Sequence, residues 1–160
     1  MSGLVVTPIA PNDWPTIATG FVDLGFEQGT SYAEAAAQRI GAHVQYYLIT
    51  EAGQPIAAAT IRVKTVPGLG RGIAWIPSGP LVRPSCAPVP NTSRLRALLV
   101  ALRTEICDRQ GHLLRFRLSG TSFLNAADVA DAAQAAGFYI TPRASAYSSY
   151  IVASHRKQKP

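Results

Sequence analysis

The chain has 160 residues, 48% of them hydrophobic, which gives one domain a sizeable core and excludes a disordered chain. Its formal charge is +6, from twelve Arg and three Lys against nine acidic residues, which reads first as a solvated basic surface and otherwise as attraction to an anionic substrate such as a nucleotide sugar or tRNA. No run reaches about 18 apolar residues, the two cysteines match no metal or disulfide spacing, and the N-terminus has no basic segment leading into an apolar core, so a soluble cytoplasmic protein without a membrane span is expected.

Leu4 to Ile9 reads as a short strand closed by Pro8 and Pro11. Asn12 or Asp13 can cap a helix with Pro15 in its first turn, and Trp14, Ile17, Phe21 and Leu24 give it one buried face up to Gly25. After a linker of Phe26 to Thr30, Ser31 and Glu34 have capping-box spacing, which predicts a second helix from Tyr32 to Ile40 with Gly41 closing it. Val44 to Glu51 and Pro55 to Val66 predict a hairpin about Ala52-Gly53-Gln54. In the second strand Ile61 and Val63 alternate with Arg62 and Lys64, one face buried and the other basic.

Ile73 to Ile76 is a short apolar strand that breaks at Pro77, Gly79 and Pro80. A strand ending in such a break before a long helix is a common ligand position in α/β folds. Pro80, Pro84, Pro88 and Pro90 each lack an N–H, so a phosphate cradle of backbone donors is not expected in this loop. Asn91, Thr92 or Ser93 then caps the longest helix, whose Leu95, Leu98, Leu99, Leu102 and Ile106 share a face. Leu113 to Leu118 is a strand with Arg115 and Arg117 on one side. Asn125 caps a last, Ala-rich helix from Ala126 to Ala136, Gly137 ends it, and Phe138 starts a strand followed by another from Ala144 to Ala153. The order is β-α-α-β-β-β-α-β-α-β-β over a single domain, 1–153, with a basic tail at 154–160.

That order resembles the GNAT fold of the acetyl-CoA-dependent N-acetyltransferases: α/β (α+β), a mixed, mostly antiparallel central sheet with flanking helices. Those enzymes carry a Gln/Arg-x-x-Gly-x-Gly/Ala loop, and Ser78 to Pro84 lacks it, so no cofactor, and specifically no acetyl-CoA, is expected, with an acetyl-CoA-dependent N-acetyltransferase kept as a further alternative. Three stretches look narrower still: Phe26-Glu27-Gln28 before a helix with Tyr32, the hairpin with Gly53 to Ala59, and Trp75-Ile76-Pro77-Ser78-Gly79-Pro80-Leu81. Together they resemble the first of the two tandem GNAT-like domains of the FemABX peptidyltransferases. The resemblance implies aminoacyl transfer, with aminoacyl-tRNA as possible donor, to a peptidoglycan precursor or related cell-envelope amine. It also implies a missing second half, supplied by another chain or by a homodimer, or a domain kept for interaction alone. The departures are Ser78, where the family commonly has a basic residue, and Glu34 to Ala37, where some members have a Lys.

The expected substrate-binding residues are Trp75, Ser78, Gly79, Arg62, Arg115 and Arg117, facing an anionic small molecule or nucleotide-sugar peptide, with tRNA as a possible partner. Two guanidinium groups on one strand face call for an anion or for carboxylates; Glu51, Glu105 and Asp108 are the candidate carboxylates. Trp75 suits the core as well as a substrate ring, and Ser78 suits a turn. No catalytic residue is identified, and no metal spacing is present.

Overall fold

The computed structural model describes residues 3–118, 125–141 and the backbone of 149–152. The elements are β1 (Leu4–Ile9), α1 (Trp14–Ala18), α2 (Thr30–Arg39), β2 (His43–Glu51), β3 (Gln54–Val66), β4 (Arg71–Ile76), α3 (Thr92–Arg103), β5 (Leu113–Phe116), α4 (Ala126–Ala135), β6 (Tyr139–Thr141) and β7 (Ser149–Val152). This is the order expected from the periodicity. Of the last expected strand, residues 144–148 and 153 lie outside the described residues, as do Arg143 and the basic tail.

The strands form one sheet in the order β1-β2-β3-β4-β5-β7-β6. Every neighbouring pair is antiparallel except β4 and β5, which run parallel. The β2–β3 hairpin closes through Ala52 at φ 49° and Gly53 at φ 78°, the two left-handed residues that match the twist of a two-residue turn.

Strand alternation divides the sheet into two differently covered faces. On one, Ile61, Val63, Ala74, Ile76, Leu114 and Phe116 pack beneath Leu95, Leu98, Leu99 and Leu102 of α3 and Val129, Ala132 and Ala133 of α4. The leucines sit at i, i+3, i+4 and i+7, so one helical stripe is buried, each side chain stabilising by about 1.5–3 kcal/mol. The small side chains of α4 leave room for Phe138, which meets Phe116 edge-on at 5.0 Å. On the other face Trp14, Ala18 and Phe21 pack on Tyr46, Ala58 and Leu81.

Three local expectations are corrected by tertiary bonds. The first helix stops at Ala18 instead of running to Leu24. Beyond it Phe21 bridges Pro84, the Val22 N–H donates to the Arg83 carbonyl (2.9 Å), and the Asp23 carboxylate accepts from the N–H groups of Val82 (2.8 Å) and Arg83 (3.2 Å). The linker holds a 3₁₀ turn, Phe26–Gln28. Helix α2 begins at Thr30 with Gly29 as N-cap and no side-chain cap, so the Ser31–Glu34 box does not form; Glu34 instead accepts from the Tyr46 hydroxyl at 3.4 Å. After Arg103 the third helix continues as a π turn, Thr104–Arg109, which buries Ile106 and Cys107; burial pushes the Cys107 thiol up to about 11.

His112 opens β5's approach and is 6% exposed. Burial, and secondly the charge of His43, hold its pKa below the usual imidazole value. The unfolded chain therefore takes up this proton first on acidification. The stability contributed by neutral His112 is present above about pH 6.5 and is lost as the pH falls below it. Denaturant unfolding at pH 7.5 and 5.5 is expected to show lower stability at 5.5, with the gap narrowed in His112→Gln; an unchanged gap would refute this account.

Candidate active site

The register of three strands places Arg62, Trp75 and Arg115 in a row across the sheet, since Arg62 pairs with Trp75 and Trp75 with Arg115. All three point to the face away from α3, because their neighbours Ile61, Val63, Ala74, Ile76, Leu114 and Phe116 point toward it. Trp75 is half-buried, and the Arg115 guanidinium lies 4.6 Å from its ring centroid. This is a cation–π contact, and it leaves the indole part of a surface as well as of the core. The Nε of Arg62 is buried with no hydrogen-bond partner among the described residues. A buried guanidinium nitrogen left without an acceptor is uncommon and suits an anionic ligand.

Two residues further along β5's direction, Arg117 belongs to a second group. Its Nη2 lies 3.3 Å from Glu27 Oε2, and the Ser78 hydroxyl donates to the same carboxylate oxygen. Gly79 donates its N–H to the Arg117 carbonyl at 2.9 Å, and Arg117 donates to the Ile76 carbonyl at 3.2 Å. The turn after β4 is thereby tied to β5 just where the parallel pair ends. Ser78 has φ 48°, an uncommon conformation for a residue with a Cβ and one that clusters at functional sites.

Gln28 fixes this turn from beneath. It is fully buried, and its side-chain carbonyl accepts from the Thr60 N–H at 2.8 Å while its amide donates to the Pro77 carbonyl. Its main-chain carbonyl accepts from the Trp14 indole (2.8 Å) and from the Thr60 hydroxyl (2.7 Å). A Cβ on Gly79 would lie 3.0 Å from Gln28 Cδ and from Ile76 Cγ2, so any larger residue here would press the Gln28 side chain or Ile76 aside.

All six expected site residues thus fall on one face, as the row Arg62, Trp75, Arg115 and the adjoining cluster Ser78, Gly79, Arg117. The expected carboxylate partners are corrected: Glu51 pairs with Arg94, Glu105 with Arg109 (2.8 Å) and Asp108 with Arg103 (4.0 Å). Each is engaged by an arginine of the third helix or its π turn. Glu27 takes the place expected of them. The sequence reading left Glu27 and Gln28 without a role; the signal was a polar pair directly before a helix, whose partners lie 32 to 90 residues away.

No protein-family model and no curated protein matches the chain. Solved structures do. FemX matches with a TM-score of 0.61 at 18% identity, covering 85% of this chain and 32% of that one. Naa50 of Arabidopsis thaliana, in complex with the bisubstrate analogue CoA-Ac-MVNAL, matches at 0.54 and 14% identity, over 93% and 96% of the two chains. RimJ of Mycobacterium smegmatis, in complex with CoA-disulfide, matches at 0.54 and 13% identity, over 98% and 84%. The fold is that of the GNAT acyltransferases. This chain spans about a third of the FemX chain and nearly the whole of the single-domain GNAT structures.

The GNAT neighbours overturn the expectation of no cofactor, since two of them are described with CoA-containing ligands. The physical error lay in weighing the whole loop. The Val82 and Arg83 amides are taken by Asp23, and five other loop positions, Pro77, Pro80, Pro84, Pro88 and Pro90, are proline. The first turn of α3 begins only after Pro90, and Asn91 to Arg94 all keep an N–H. Of these the Arg94 N–H is capped by the Asn91 side chain at 2.9 Å, while Thr92 and Ser93 add hydroxyls beside amides that have no intrahelical acceptor. Those donors fit a diphosphate at a helix start.

Proposed function

We propose that this chain is an acyltransferase domain that moves an acyl group from a coenzyme A thioester to the amine of an anionic acceptor. The observation that carries the reading is the continuity of the Arg62–Trp75–Arg115 row with the Glu27–Ser78–Arg117 cluster at the carboxyl end of the parallel β4–β5 pair. Ligands of open α/β sheets bind at such strand ends. Asn91, Thr92 and Ser93 would hold the donor's diphosphate. The thioester supplies the activated acyl carbonyl: the amide bond forms from the neutral amine as the C–S bond breaks, and coenzyme A leaves as the free thiol with the proton that the amine gives up; the protein's part is positioning of the amine beside the carbonyl.

On the acceptor side, the Arg62 Nε without a partner and the Arg115 guanidinium over Trp75 suit a carboxylate or phosphate. The resemblance to FemABX enzymes makes a peptidoglycan precursor or another cell-envelope amine the acceptor class, since a nucleotide-sugar peptide carries such anions. That resemblance also makes a second GNAT-like half, or a second copy, the partner to look for.

Thermal unfolding with and without acetyl-CoA tests the donor. Saturation at a hundredfold excess over Kd stabilises by about 2.7 kcal/mol, a rise of roughly 5–11 °C for a chain of this size. An unmoved melting temperature at millimolar acetyl-CoA would sink the reading.

A further inference from the structure

Among the described residues, the candidate site gathers three arginines and one carboxylate. Arg62, Arg115 and Arg117 lie in it with Trp75, and the carboxylate among them is Glu27. Among the described residues, the two side-chain contacts of Glu27, from the Ser78 hydroxyl and from Arg117 Nη2, end on the same oxygen, Oε2. Oε1 has no hydrogen-bond partner among the described residues. The Glu27 side chain is 18% exposed, so the carboxylate is held in place yet reached from outside. A carboxylate has about four acceptor positions, and two contacts leave half of them open. The group that completes such a site is a cationic donor, and an ammonium is the one an acyl acceptor brings.

Resting on the acyltransferase reading, we propose that Glu27 Oε1 seats the acceptor's ammonium while Arg62 and Arg115 take its anion, so that the acceptor presents its amine and its anion about two peptide residues apart. The spacing follows from the strand. Arg115 and Arg117 are two residues apart, about 7 Å at a strand rise of 3.3–3.4 Å, and Glu27 lies at the Arg117 end. Two extended residues of a peptide span about the same 7 Å. A single amino acid is shorter than the stretch from Arg115 to the Arg117 end where Glu27 lies. Ser78 serves as a positioning residue: its hydroxyl occupies Oε2 and turns Oε1 toward the acceptor.

Calorimetry on the whole chain tests the assignment with three probes: glycylglycine, N-acetylglycylglycine and glycylglycinamide. Each capped probe loses one charge-assisted bond, so the wild type is expected to bind glycylglycine about tenfold or more tightly than either. Glu27→Gln keeps an acceptor for Ser78 and removes the charge; it is expected to erase the preference for the free amine and keep that for the free carboxylate. Arg115→Gln is expected to do the reverse. Equal wild-type binding of glycylglycine and its N-acetyl form, or no binding of glycylglycine, would overturn the proposal, and this comparison stands even if a variant fails to fold. The acetyl-CoA melting experiment keeps the two readings apart. A chain that responds to acetyl-CoA but shows no dipeptide selectivity loses the zwitterion seat alone. One that selects dipeptides without responding to acetyl-CoA loses the donor assignment alone.

Discussion

Gln28→Leu is expected to lower stability by about 4 kcal/mol, although it exchanges one mid-sized buried side chain for another. The leucine leaves the Thr60 N–H and the Pro77 carbonyl inside the protein without partners. Each stranded group costs about 1–3 kcal/mol, and the branched side chain is also set beside Gly79, where an added Cβ would come within 3.0 Å of the Gln28 amide. For a domain of this length that loss corresponds to a melting temperature roughly 8–16 °C lower. A drop below about 3 °C would mean that Thr60 and Pro77 find other partners, and the hub described for Gln28 would be wrong. Because Pro77 precedes Ser78, the same variant is also expected to weaken acceptor binding under conditions where it remains folded.

Phe116→Ala is expected to cost about as much for a different reason, about 4 kcal/mol through an unfilled cavity. Phe116 is 1% exposed, ends β5 and meets Phe138 edge-on, so its removal leaves a gap beneath the α3–α4 layer and beside Phe138. The control is Ile73→Ala on β4, where the side chain is 56% exposed and the change is expected to stay within about 0.5 kcal/mol. Denaturant midpoints of the two variants decide the matter: similar losses would show that the core does not lie between β5 and α3.

The fold was legible because its elements announce themselves locally. The leucines of α3 repeat at helical spacing, β3 alternates Ile61 and Val63 with Arg62 and Lys64, and Asn91 caps where a capping residue was expected. Arg62 and Arg115 were legible as individual residues, since each breaks an apolar pattern, and Trp75 as the large ring just before the break at Pro77. Their meeting in one row was not, because it depends on strand register, which a single sequence does not contain. The ion pairs were misassigned for the same reason. Glu51, Glu105 and Asp108 looked as available as Glu27, and distance in the fold decided among them. The early end of α1 was hidden too: Phe21 fits the helical stripe, but its bridge to Pro84 and the bonds of Val22 and Asp23 to the loop win.

Those bonds divide the segment between β4 and α3 into two parts with different freedom to vary. From Gly79 to Ser85 the backbone is fastened in turn to Arg117, Ala58, Asp23 and Gly20. From Cys86 to Pro90 the recorded backbone bond is a local one, Ala87 to Pro84. Homologous chains that differ in length here should therefore carry their extra residues after Ser85, where slack can be added while the serine beside Glu27 keeps its place.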